Sequence, residues 1–306
     1  MEKVSVVMSV YRPNPQYLTE QLASLNDQDY GNLELVVWND CPGEPVDRAL
    51  FERCVTRFPV SFFGGEENLG YVKAFERLTQ LADGDYICYC DQDDIWAPDK
   101  ISLCLQAMKE EGAVAAVCDR SIIDGDGKVI CESVRHATRE KRFTWNTGED
   151  ITPYAVFVSF CTGMTLIARR VALQQCLPLM PELPHDQQLI FLLSAAGKIV
   201  NLDRPLVQHR RYGKNASGTL AGVSRKKDYY RTRCEPVNAL LAHFEELHPE
   251  YPVLDRMKQC SRARTEGNIV GLWKNRDLIP DIWRYETALA LCPDWAFRRL
   301  KNVVAS

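Results

Sequence analysis

The chain contains the stretch Tyr86-Ile87-Cys88-Tyr89-Cys90-Asp91-Gln92-Asp93-Asp94-Ile95-Trp96, in which an apolar run stops at three carboxylates. Such a run predicts a strand that is buried on both faces. On an extended segment Asp91 and Asp93 point to the same side, and their charges repel each other unless a cation lies between them. Mg²⁺ or Mn²⁺, held by one or two carboxylates and completed by phosphate oxygens, fits this pattern better than zinc does.

A structural interpretation of the same acids is also open. Aspartates that follow strands form turns and cap helices, and Asp-x-Asp pairs are common in proteins. Asp94 in particular could cap a turn. A helix is predicted to start at Pro98-Asp99, because apolar residues follow at helical spacing, namely Ile101, Leu105 and Met108.

Composition places the chain among ordinary globular proteins. Of its 306 residues, 46% are hydrophobic and 25% are charged, which allows a substantial buried core. The net charge of −4 argues against a nucleic-acid-binding surface, which is more often basic. The 12 cysteines form no Cys-x-x-Cys pair, so we expect free thiols in a reducing compartment rather than zinc ligands. Because no leader follows Met1 and no apolar run is long enough to span a bilayer, we expect a cytoplasmic location.

Alternating strand-like and helix-like segments in the first half predict an α/β fold with a mostly parallel central sheet flanked by helices. The predicted strands are Val4–Val10, Leu33–Trp38, Val60–Phe63 and Tyr86–Cys90. Helices between them are indicated by apolar residues at helical spacing, Leu18, Leu22 and Leu25 in one and Val72, Phe75, Leu78 and Leu81 in the other. The helical pattern after Arg225 predicts a main domain over residues 1–224 and a C-terminal helical appendage over residues 225–306.

The middle of the chain is less regular. Asp124-Gly-Asp-Gly127 predicts a hairpin turn, and the charged stretch Arg135–Thr147 predicts a mobile loop. A buried segment is predicted at Met164–Ala168. A helix is predicted at His185–Ala196, and Gly197 is expected to end it.

Polar residues follow each of the four predicted strands. They are Tyr11-Arg12, Asn39-Asp40, Glu66–Gly70 and Asp91–Asp94. In parallel α/β sheets the ligand lies beyond the carboxyl ends of the strands. The sequence therefore predicts one rim on which all four groups converge, and this convergence favours the metal-binding interpretation of the acids.

With these residues in place, the chain resembles family 2 glycosyltransferases, which are inverting nucleotide-sugar enzymes of the GT-A fold. The resemblance is carried by Val6-Val-Met-Ser-Val-Tyr11, Tyr17–Leu25 with Gln28, Glu34–Asp40, Asn68-Leu-Gly70 and the string Asp91–Trp96, which contains the DxD motif. The last string is typical of the bacterial rhamnosyltransferase-like branch. Two later signatures of that branch are similar to His185-Asp-Gln-Gln188 and Tyr212-Gly-Lys-Asn-Ala-Ser-Gly218. The helical tail has no counterpart in this resemblance.

The resemblance implies a nucleotide-sugar pocket formed by Val10, Tyr11, Asp40, Asn68, Gly70, Lys73, Asp91 and Gln92. It implies further that Asp93, together with Asp91, binds the Mg²⁺ or Mn²⁺ that bridges the donor diphosphate. Asp186 is similar to the family's general base, which takes the proton of the acceptor hydroxyl. A second interpretation of Asp186 stays open, because an acid in the first turn of a helix also stabilises that helix.

Four further residues are candidate acceptor or phosphate contacts, namely Trp96, His209, Arg210 and Arg211. The resembling branch usually reads Tyr-Arg-x-His-Gly where this chain reads His209-Arg-Arg-Tyr212-Gly, so a tyrosine occupies the usual histidine position. His209 could simply end a strand over Leu206–Gln208 and leave the diphosphate to one of the two arginines. Trp96 could pack in the core or present its face to a sugar ring.

The expected function is that of a metal-dependent inverting glycosyltransferase that moves a hexosyl or rhamnosyl group. The donor would be a UDP- or dTDP-sugar, and the acceptor a hydroxyl of a glycan or lipid-linked molecule in cell-surface polysaccharide synthesis. A sugar nucleotidyltransferase is an alternative, although Tyr11–Pro15 lacks the glycine-rich phosphate loop of that class. A non-catalytic nucleotide-sugar-binding or glycan-binding protein is another. The aromatic and basic tail predicts either peripheral attachment to the inner membrane face or packing against the main domain or, as a homodimer, a second copy of the chain.

Overall fold

The computed structural model describes residues 1–137, 145–212, 223–280 and 282–297. The chain divides into two compact units, of which the first comprises Met1–Asp150 and Ser159–Tyr212 and the second comprises Ile151–Val158 and Gly213–Ser306. The domain boundary predicted between residues 224 and 225 stays a prediction. Residues 213–218 of the last sequence signature lie outside the described residues, as do residues 138–144 of the predicted mobile loop and residues 298–306 of the tail.

The sheet belongs to the first unit. Its strands in the described residues are β1 (Val4–Val10), β2 (Leu33–Asn39), β3 (Val60–Gly64), β4 (Tyr86–Cys90), β5 (Ile95–Trp96), β6 (Ala115–Ile123), β7 (Val129–Cys131), β8 (Leu166–Arg169) and β9 (Ile199–Arg210). They are ordered β3-β2-β1-β4-β8-β6-β9-β5 across the sheet, and β7 pairs with β6 outside this path. The four strands predicted in the first half are thus found, each within one residue of its predicted bounds.

Pairing is parallel across the first four strands and mixed beyond them. β3, β2, β1 and β4 form one parallel block. β8 then runs antiparallel to both β4 and β6, β6 and β9 are parallel, and β5 is antiparallel to β9. β3 is largely exposed, because it lies at the end of the described sheet with a neighbouring strand on one side only.

Helices of the first unit pack on both faces of this sheet, and the second unit contains helices as well. Those of the first unit are α1 (Pro15–Asn26), α2 (Arg48–Cys54), α3 (Gly70–Leu81), α4 (Lys100–Glu111), α6 (Arg170–Gln175) and α7 (His185–Ala196), and those of the second are α5 (Thr152–Ala155), α8 (Lys226–Tyr229), α9 (Glu235–Leu247), α10 (Leu254–Glu266), α11 (Ile269–Lys274) and α12 (Trp283–Leu291). α1 starts at an Asn14 cap, whose side chain accepts hydrogen bonds from the N–H groups of Gln16 and Tyr17. Leu18, Leu22 and Leu25 are its buried face, as their spacing predicts.

The sequence pattern does not predict α2. Asp47 caps this helix by accepting a hydrogen bond of 3.1 Å from the N–H of Leu50. The helix has seven residues, and Leu50 and Phe51 are its buried ones. Two adjacent apolar residues do not show a helical period, so the cap is the feature that could have revealed this helix.

β4 contains the apolar run that precedes the acidic residues, and it is buried along its whole length. Alternate residues from Tyr86 to Cys90 join the core cluster to which α1, α2 and α4 also contribute. On the other face, the ring of Tyr89 lies 5.5 Å from the ring of Phe75 on α3. Because both faces of β4 are covered, the strand itself is closed to solvent, and the acidic residues follow at its carboxyl end.

The predicted hairpin turn at Asp124–Gly127 joins β6 and β7, since Ile123 pairs with Val129. The mobile loop predicted from Arg135 onward is wrong for Arg135 itself. This residue is buried, and its guanidinium donates hydrogen bonds to the carbonyl oxygens of Val117 at 3.0 Å and Leu202 at 2.6 Å. A buried, fully engaged arginine has the same sequence appearance as a solvated one, so the charge pattern alone misleads here.

The second unit has its own core, formed by Val223, Tyr229, Cys234, Leu289 and Phe297. A buried ion pair between Arg264 and Glu286, 2.8 Å apart, joins α10 to α12, and the Tyr229 hydroxyl donates to the same carboxylate. None of the described helices combines the length and the apolar character that crossing a bilayer would require.

Two glycines of the first unit lie where an added Cβ atom would be too close to a neighbouring segment. Gly197 ends α7 as predicted, and a Cβ there would lie 2.8 Å from a methyl group of Val114. Gly84 precedes β4, and a Cβ there would lie 2.7 Å from the backbone nitrogen of Ser5 and 2.9 Å from the carbonyl oxygen of Lys3. Backbone atoms cannot swing aside as side chains do.

We therefore expect Gly84→Ala to lower the free energy of unfolding by about 1–3 kcal/mol, the usual cost of overpacking a tight site. Gly31→Ala is the matched control, because nothing lies within 4 Å of its added methyl group; it should change stability by no more than about 0.5 kcal/mol. Urea unfolding of both variants measures the difference, and equal stabilities would contradict the close approach at Gly84.

Candidate active site

The acidic loop after β4 is tied to the end of β1 by Gln92. The side-chain oxygen of Gln92 accepts a hydrogen bond of 2.9 Å from the N–H of Tyr11, and its amide donates one of 3.1 Å to the carbonyl of Tyr11. Val10, which precedes this pair, is buried, whereas the Tyr11 side chain is 45% exposed. The structure therefore brings together two of the four polar segments that were predicted to converge.

Asp40 joins the other two segments. It is buried, its N–H donates to the carbonyl of Val10 at 2.9 Å, and its carboxylate accepts hydrogen bonds from the N–H of Leu69 at 2.8 Å and the amide of Asn68 at 3.1 Å. Gly70 then starts α3 in a left-handed conformation, with φ of 73°. One Asp40 oxygen accepts a single described hydrogen bond, so it has capacity left for a further donor.

Three carboxylates interact where β4 ends. Burial, followed by the charges of Asp93 and Asp186, raises the pKa of Asp91 to about 7. Burial also raises the pKa of Asp93. β4 ends at Cys90, and residues 92 and 93 form a bend, so the extended geometry assumed for Asp91 and Asp93 is not formed. Asp93 and Asp186 nevertheless lie close enough to Asp91 for their charges to disfavour its ionised form.

Asp94 has a structural position. It is fully buried, its Oδ1 accepts a hydrogen bond of 3.0 Å from the N–H of Arg210, and burial raises its pKa well above the usual range. This bond joins the acidic loop to β9, so Asp94 fixes a long-range contact rather than capping the next turn. α4 begins at Lys100, close to the predicted start.

Asp93 is held by two residues at the end of β9. Its carboxylate Oδ2 accepts a hydrogen bond of 2.7 Å from the hydroxyl of Tyr212. Its carbonyl accepts one of 3.0 Å from Nε of Arg210. The sequence shows Tyr212 at the position where the resembling branch has a histidine. It does not predict this bond, because Asp93 lies 119 residues away and no local pattern indicates the contact.

Arg210 was a predicted phosphate contact, and the structure corrects this prediction. Its side chain is fully buried and forms an ion pair with Glu20 of α1. Its guanidinium also donates to the carbonyl oxygens of Asp124 and Gly125 in the hairpin turn, at 3.4 Å and 3.3 Å. Arg211, in contrast, is exposed, and its role as a phosphate contact stays a prediction.

Trp96 and His209 are also placed in the interior. Trp96 is 2% exposed, and the ammonium group of Lys100 lies 3.2 Å from the centre of its ring, so the packing alternative describes it and no ring face is offered to a sugar. His209 lies within β9 and is 8% exposed. Burial, followed by the charges of Arg120 and Arg211, lowers the pKa of His209 to about 3. A buried neutral imidazole is poorly suited to a phosphate contact.

Asp186 is the second residue of α7, and its Oδ1 accepts a hydrogen bond of 2.8 Å from the N–H of Gln187. Its interaction with Asp91 places it at the same rim, so the helix-start position and a role in the site are compatible. The neighbouring His185 anchors the start of α7, since its ring stacks on Phe75 at 4.4 Å.

Lys73 lies on α3 and contacts the loop that leads into α7. Its ammonium donates to the carbonyl of Leu179 at 2.6 Å and pairs with Glu76 at 2.8 Å. Glu76, which sequence reasoning missed, accepts a hydrogen bond of 2.6 Å from the N–H of Leu179. Both residues therefore hold the loop that leads to Asp186 on α7. Nucleotide binding by Lys73 stays a prediction.

The metal predicted at this rim can be tested against its donors. Among the described residues, no group of three or more His, Cys, Asp or Glu side chains is arranged to hold an ion by itself. The pair Asp91 and Asp93 fits the other arrangement, in which one or two carboxylates share a hard cation with phosphate oxygens. Burial and the charges of Asp93 and Asp186 raise the pKa of Asp91, and a cation would relieve the repulsion between these charges.

Known proteins that are similar to this chain are described as glycosyltransferases. Residues 5–175 match the family described as "Glycosyl transferase family 2". An uncharacterized glycosyltransferase of Nostoc sp. is 24% identical over 232 residues, which are 74% of this chain and 70% of that protein. The putative teichuronic acid biosynthesis glycosyltransferase TuaG of Bacillus subtilis is 28% identical over 126 residues, which are 40% of this chain and 49% of TuaG.

Among solved structures, that of S. aureus TarS 1–349 in complex with UDP-GlcNAc is similar to this chain. The TM-score is 0.62 at 16% identity, and the superposition covers 94% of this chain and 87% of the TarS chain. At this identity the likeness shows the fold alone. It confirms the GT-A fold, with its central sheet, flanking helices and C-terminal helices.

Replacing Asp40 by asparagine should open the contact between β2 and the loop at Asn68. We expect Asp40→Asn to lower the free energy of unfolding by about 2 kcal/mol, because hydrogen bonds to a charged group are lost and an amide donor faces the N–H of Leu69. Glu44→Gln is the control, since the Glu44 carboxylate forms an exposed ion pair with Arg12 and such pairs contribute about 1 kcal/mol or less. Chemical denaturation that shows Asp40→Asn to be as stable as Glu44→Gln would contradict the role of Asp40.

His209 should make stability depend on pH. Its pKa of about 3 in the folded protein lies below the ordinary value of 6.5, so between these values the unfolded chain binds the extra proton and stability rises with pH. His209→Gln should therefore flatten the dependence of the unfolding free energy on pH between about pH 4 and pH 6, by up to about 1.4 kcal/mol per pH unit. Denaturant unfolding at several pH values measures this slope, and an unchanged slope would show that His209 is not buried in its neutral form.

Proposed function

Because the chain belongs to glycosyl transferase family 2, we propose that it transfers a sugar from a nucleotide-sugar donor to an acceptor hydroxyl with inversion at the anomeric carbon. The observation that carries the proposal is the group of interacting carboxylates Asp91, Asp93 and Asp186 at the carboxyl edge of a GT-A sheet. Two of these acids suit a cation beside the diphosphate, and the third suits a base.

Bond cleavage leaves negative charge on the nucleoside diphosphate while the sugar acquires oxocarbenium character. Asp93 and Asp91 would hold Mg²⁺ or Mn²⁺, which when bound supplies electrostatic stabilisation of that charge. Their anionic oxygens are suited to a hard cation, and their burial strengthens the attraction by lowering the local dielectric. Gln92 keeps the loop at the end of β1, where Tyr11 is exposed to a ligand.

Asp186 takes the proton of the acceptor hydroxyl as the oxygen attacks. Positioned base catalysis of this kind contributes about 10²–10⁴-fold to the rate. The start of α7 holds the carboxylate in place, since its Oδ1 is bound to a helical N–H and the preceding His185 is packed among aromatic rings. A stiffly held carboxylate loses little orientation when the acceptor binds.

The donor and acceptor classes follow from the resemblances. TarS 1–349 forms a complex with UDP-GlcNAc, which supports a UDP-sugar donor, and the rhamnosyltransferase-like motif string supports a dTDP-sugar, including rhamnose. The name of TuaG refers to teichuronic acid biosynthesis, which supports a glycan or lipid-linked acceptor in cell-surface polysaccharide synthesis. Cytoplasmic location, peripheral membrane contact and a homodimer stay predictions.

The decisive variant is Asp186→Asn, which removes the base and keeps the size of the side chain. A thermal-shift screen with UDP- and dTDP-sugars first identifies the donor, because specific binding stabilises the folded protein. We then expect the variant to bind this donor as tightly as the parent protein does and to lose about 10²–10⁴-fold in transfer rate, measured as sugar-dependent nucleotide release with glycan acceptors.

Asp255→Asn is the control, since Asp255 is also the second residue of a helix and is exposed in the second unit. Full transfer activity in Asp186→Asn would remove Asp186 from the mechanism. Donor binding without any transfer by the parent protein would favour the non-catalytic binding protein, and release of pyrophosphate from a nucleoside triphosphate would favour the nucleotidyltransferase.

A further inference from the structure

We propose that Tyr212 is a positioning residue whose hydroxyl holds the Asp93 carboxylate in the orientation that receives a divalent cation. The inference rests on the proposed function, because it assigns a partner to the carboxylate that this function places at the diphosphate. It goes beyond that function because Tyr212 is not among the residues to which that function assigns a role.

The bond between the two residues is short and involves a charged acceptor. The Tyr212 hydroxyl donates to Oδ2 of Asp93 at 2.7 Å. Hydrogen bonds to an ionised carboxylate are about twice as strong as bonds between neutral groups. A carboxylate can accept about four such interactions, so this bond restricts the rotation of Asp93 and leaves acceptor positions for a cation.

Packing fixes the ring of Tyr212 from the side of α1. The rings of Tyr212 and Tyr17 meet edge to face, with centroids 5.1 Å apart and planes at 61°. Tyr17 in turn lies beneath the guanidinium of Arg210, at 4.4 Å. The hydroxyl of Tyr212 is therefore directed by two rigid elements, α1 and the end of β9.

Backbone and side chain of Asp93 are held by different groups. Arg210 holds the backbone through the carbonyl of Asp93, and its own N–H holds the next residue, Asp94. These bonds leave the side-chain torsions of Asp93 free. The hydroxyl of Tyr212 donates to the Asp93 carboxylate and so adds a side-chain contact to the backbone contact made by Arg210.

The hydrogen bond from Tyr212 acts against the electrostatic repulsion between Asp93 and Asp91. Asp93 follows Asp91 by two residues, and like charges this close repel each other, so in the absence of a restraint the Asp93 carboxylate would turn away from Asp91. Turning away would separate the two carboxylates that the cation needs. Hydrogen bonds from outside the coordination sphere typically contribute 10–100-fold to metal affinity by preventing such movement.

The test compares Tyr212→Phe with the parent protein, both as the full chain, by calorimetric titration with UDP and with dTDP. Each titration is made with Mn²⁺ and with EDTA. We expect the variant to lose about 10–100-fold in affinity for the nucleotide that the parent binds with Mn²⁺, and to match the parent in EDTA. Titration of Mn²⁺ alone should show a loss in the same direction.

Tyr30→Phe is the matched control. The Tyr30 hydroxyl donates a hydrogen bond of 2.7 Å to the carbonyl of Glu2, next to the amino end of β1 and so at the opposite edge of the sheet. Each variant therefore loses one hydroxyl and one bond of the same length. Thermal unfolding should give both variants similar midpoints, because phenylalanine keeps the ring contact with Tyr17.

A second variant separates action through Asp93 from a direct contact. In an Asp93→Asn background, Tyr212→Phe should have no further effect on nucleotide affinity, because the charged acceptor is already absent. An equal loss in EDTA and in Mn²⁺, or an additional loss in the Asp93→Asn background, would overturn the positioning role. Unchanged Mn²⁺-dependent affinity in Tyr212→Phe would overturn it as well. If Mn²⁺ does not strengthen nucleotide binding by the parent protein, the metal site of the proposed function fails, and this inference fails with it.

Discussion

Repulsion among carboxylates at the carboxyl edge of β4 is the constraint on which the rest of the site depends. Burial, followed by the charges of Asp93 and Asp186, raises the pKa of Asp91 to about 7. Leaving such groups together costs free energy of folding, because each must be ionised beside the others or take up a proton. At this edge, a cation that binds between the acids and a diphosphate would replace the repulsion by attraction. Acids with shifted pKa values in such a position are typical of functional sites.

Hydrogen bonds from the surrounding structure hold the loops of this rim in place against the repulsion between the carboxylates. Gln92 binds the backbone of Tyr11, and Asp40 binds the loop that precedes α3. Arg210 supplies a buried positive charge that reaches Glu20 and the carbonyl of Asp93. These contacts join elements that are distant in sequence, and they hold the acidic loop against the ends of β1 and β9.

The sequence predicts what depends on local pattern. β1 and β4 are found at their predicted bounds, and the leucine face of α1 is buried, because long apolar runs and helical spacing report burial directly. The sequence does not show that β8 inserts antiparallel between β4 and β6, since short strands carry little pattern. Nor does it distinguish the buried Arg210 from the exposed Arg211, because burial of an arginine depends on partners such as Glu20, which lies 190 residues away.

The segment from His209 to Tyr212 shows why the site is harder to predict than the fold. Side chains two residues apart on extended backbone point to the same side, and Arg210 and Tyr212 both contact Asp93 while His209 is buried within the sheet. Which pair faces the acids is decided by the register of β9 on β6, where Ile123 pairs with Arg210. A shift of one residue would direct His209 and Arg211 toward the acidic loop instead. The residue types in this segment are compatible with either arrangement, so the identity of the group that holds Asp93 is determined by the pairing of strands and not by the motif.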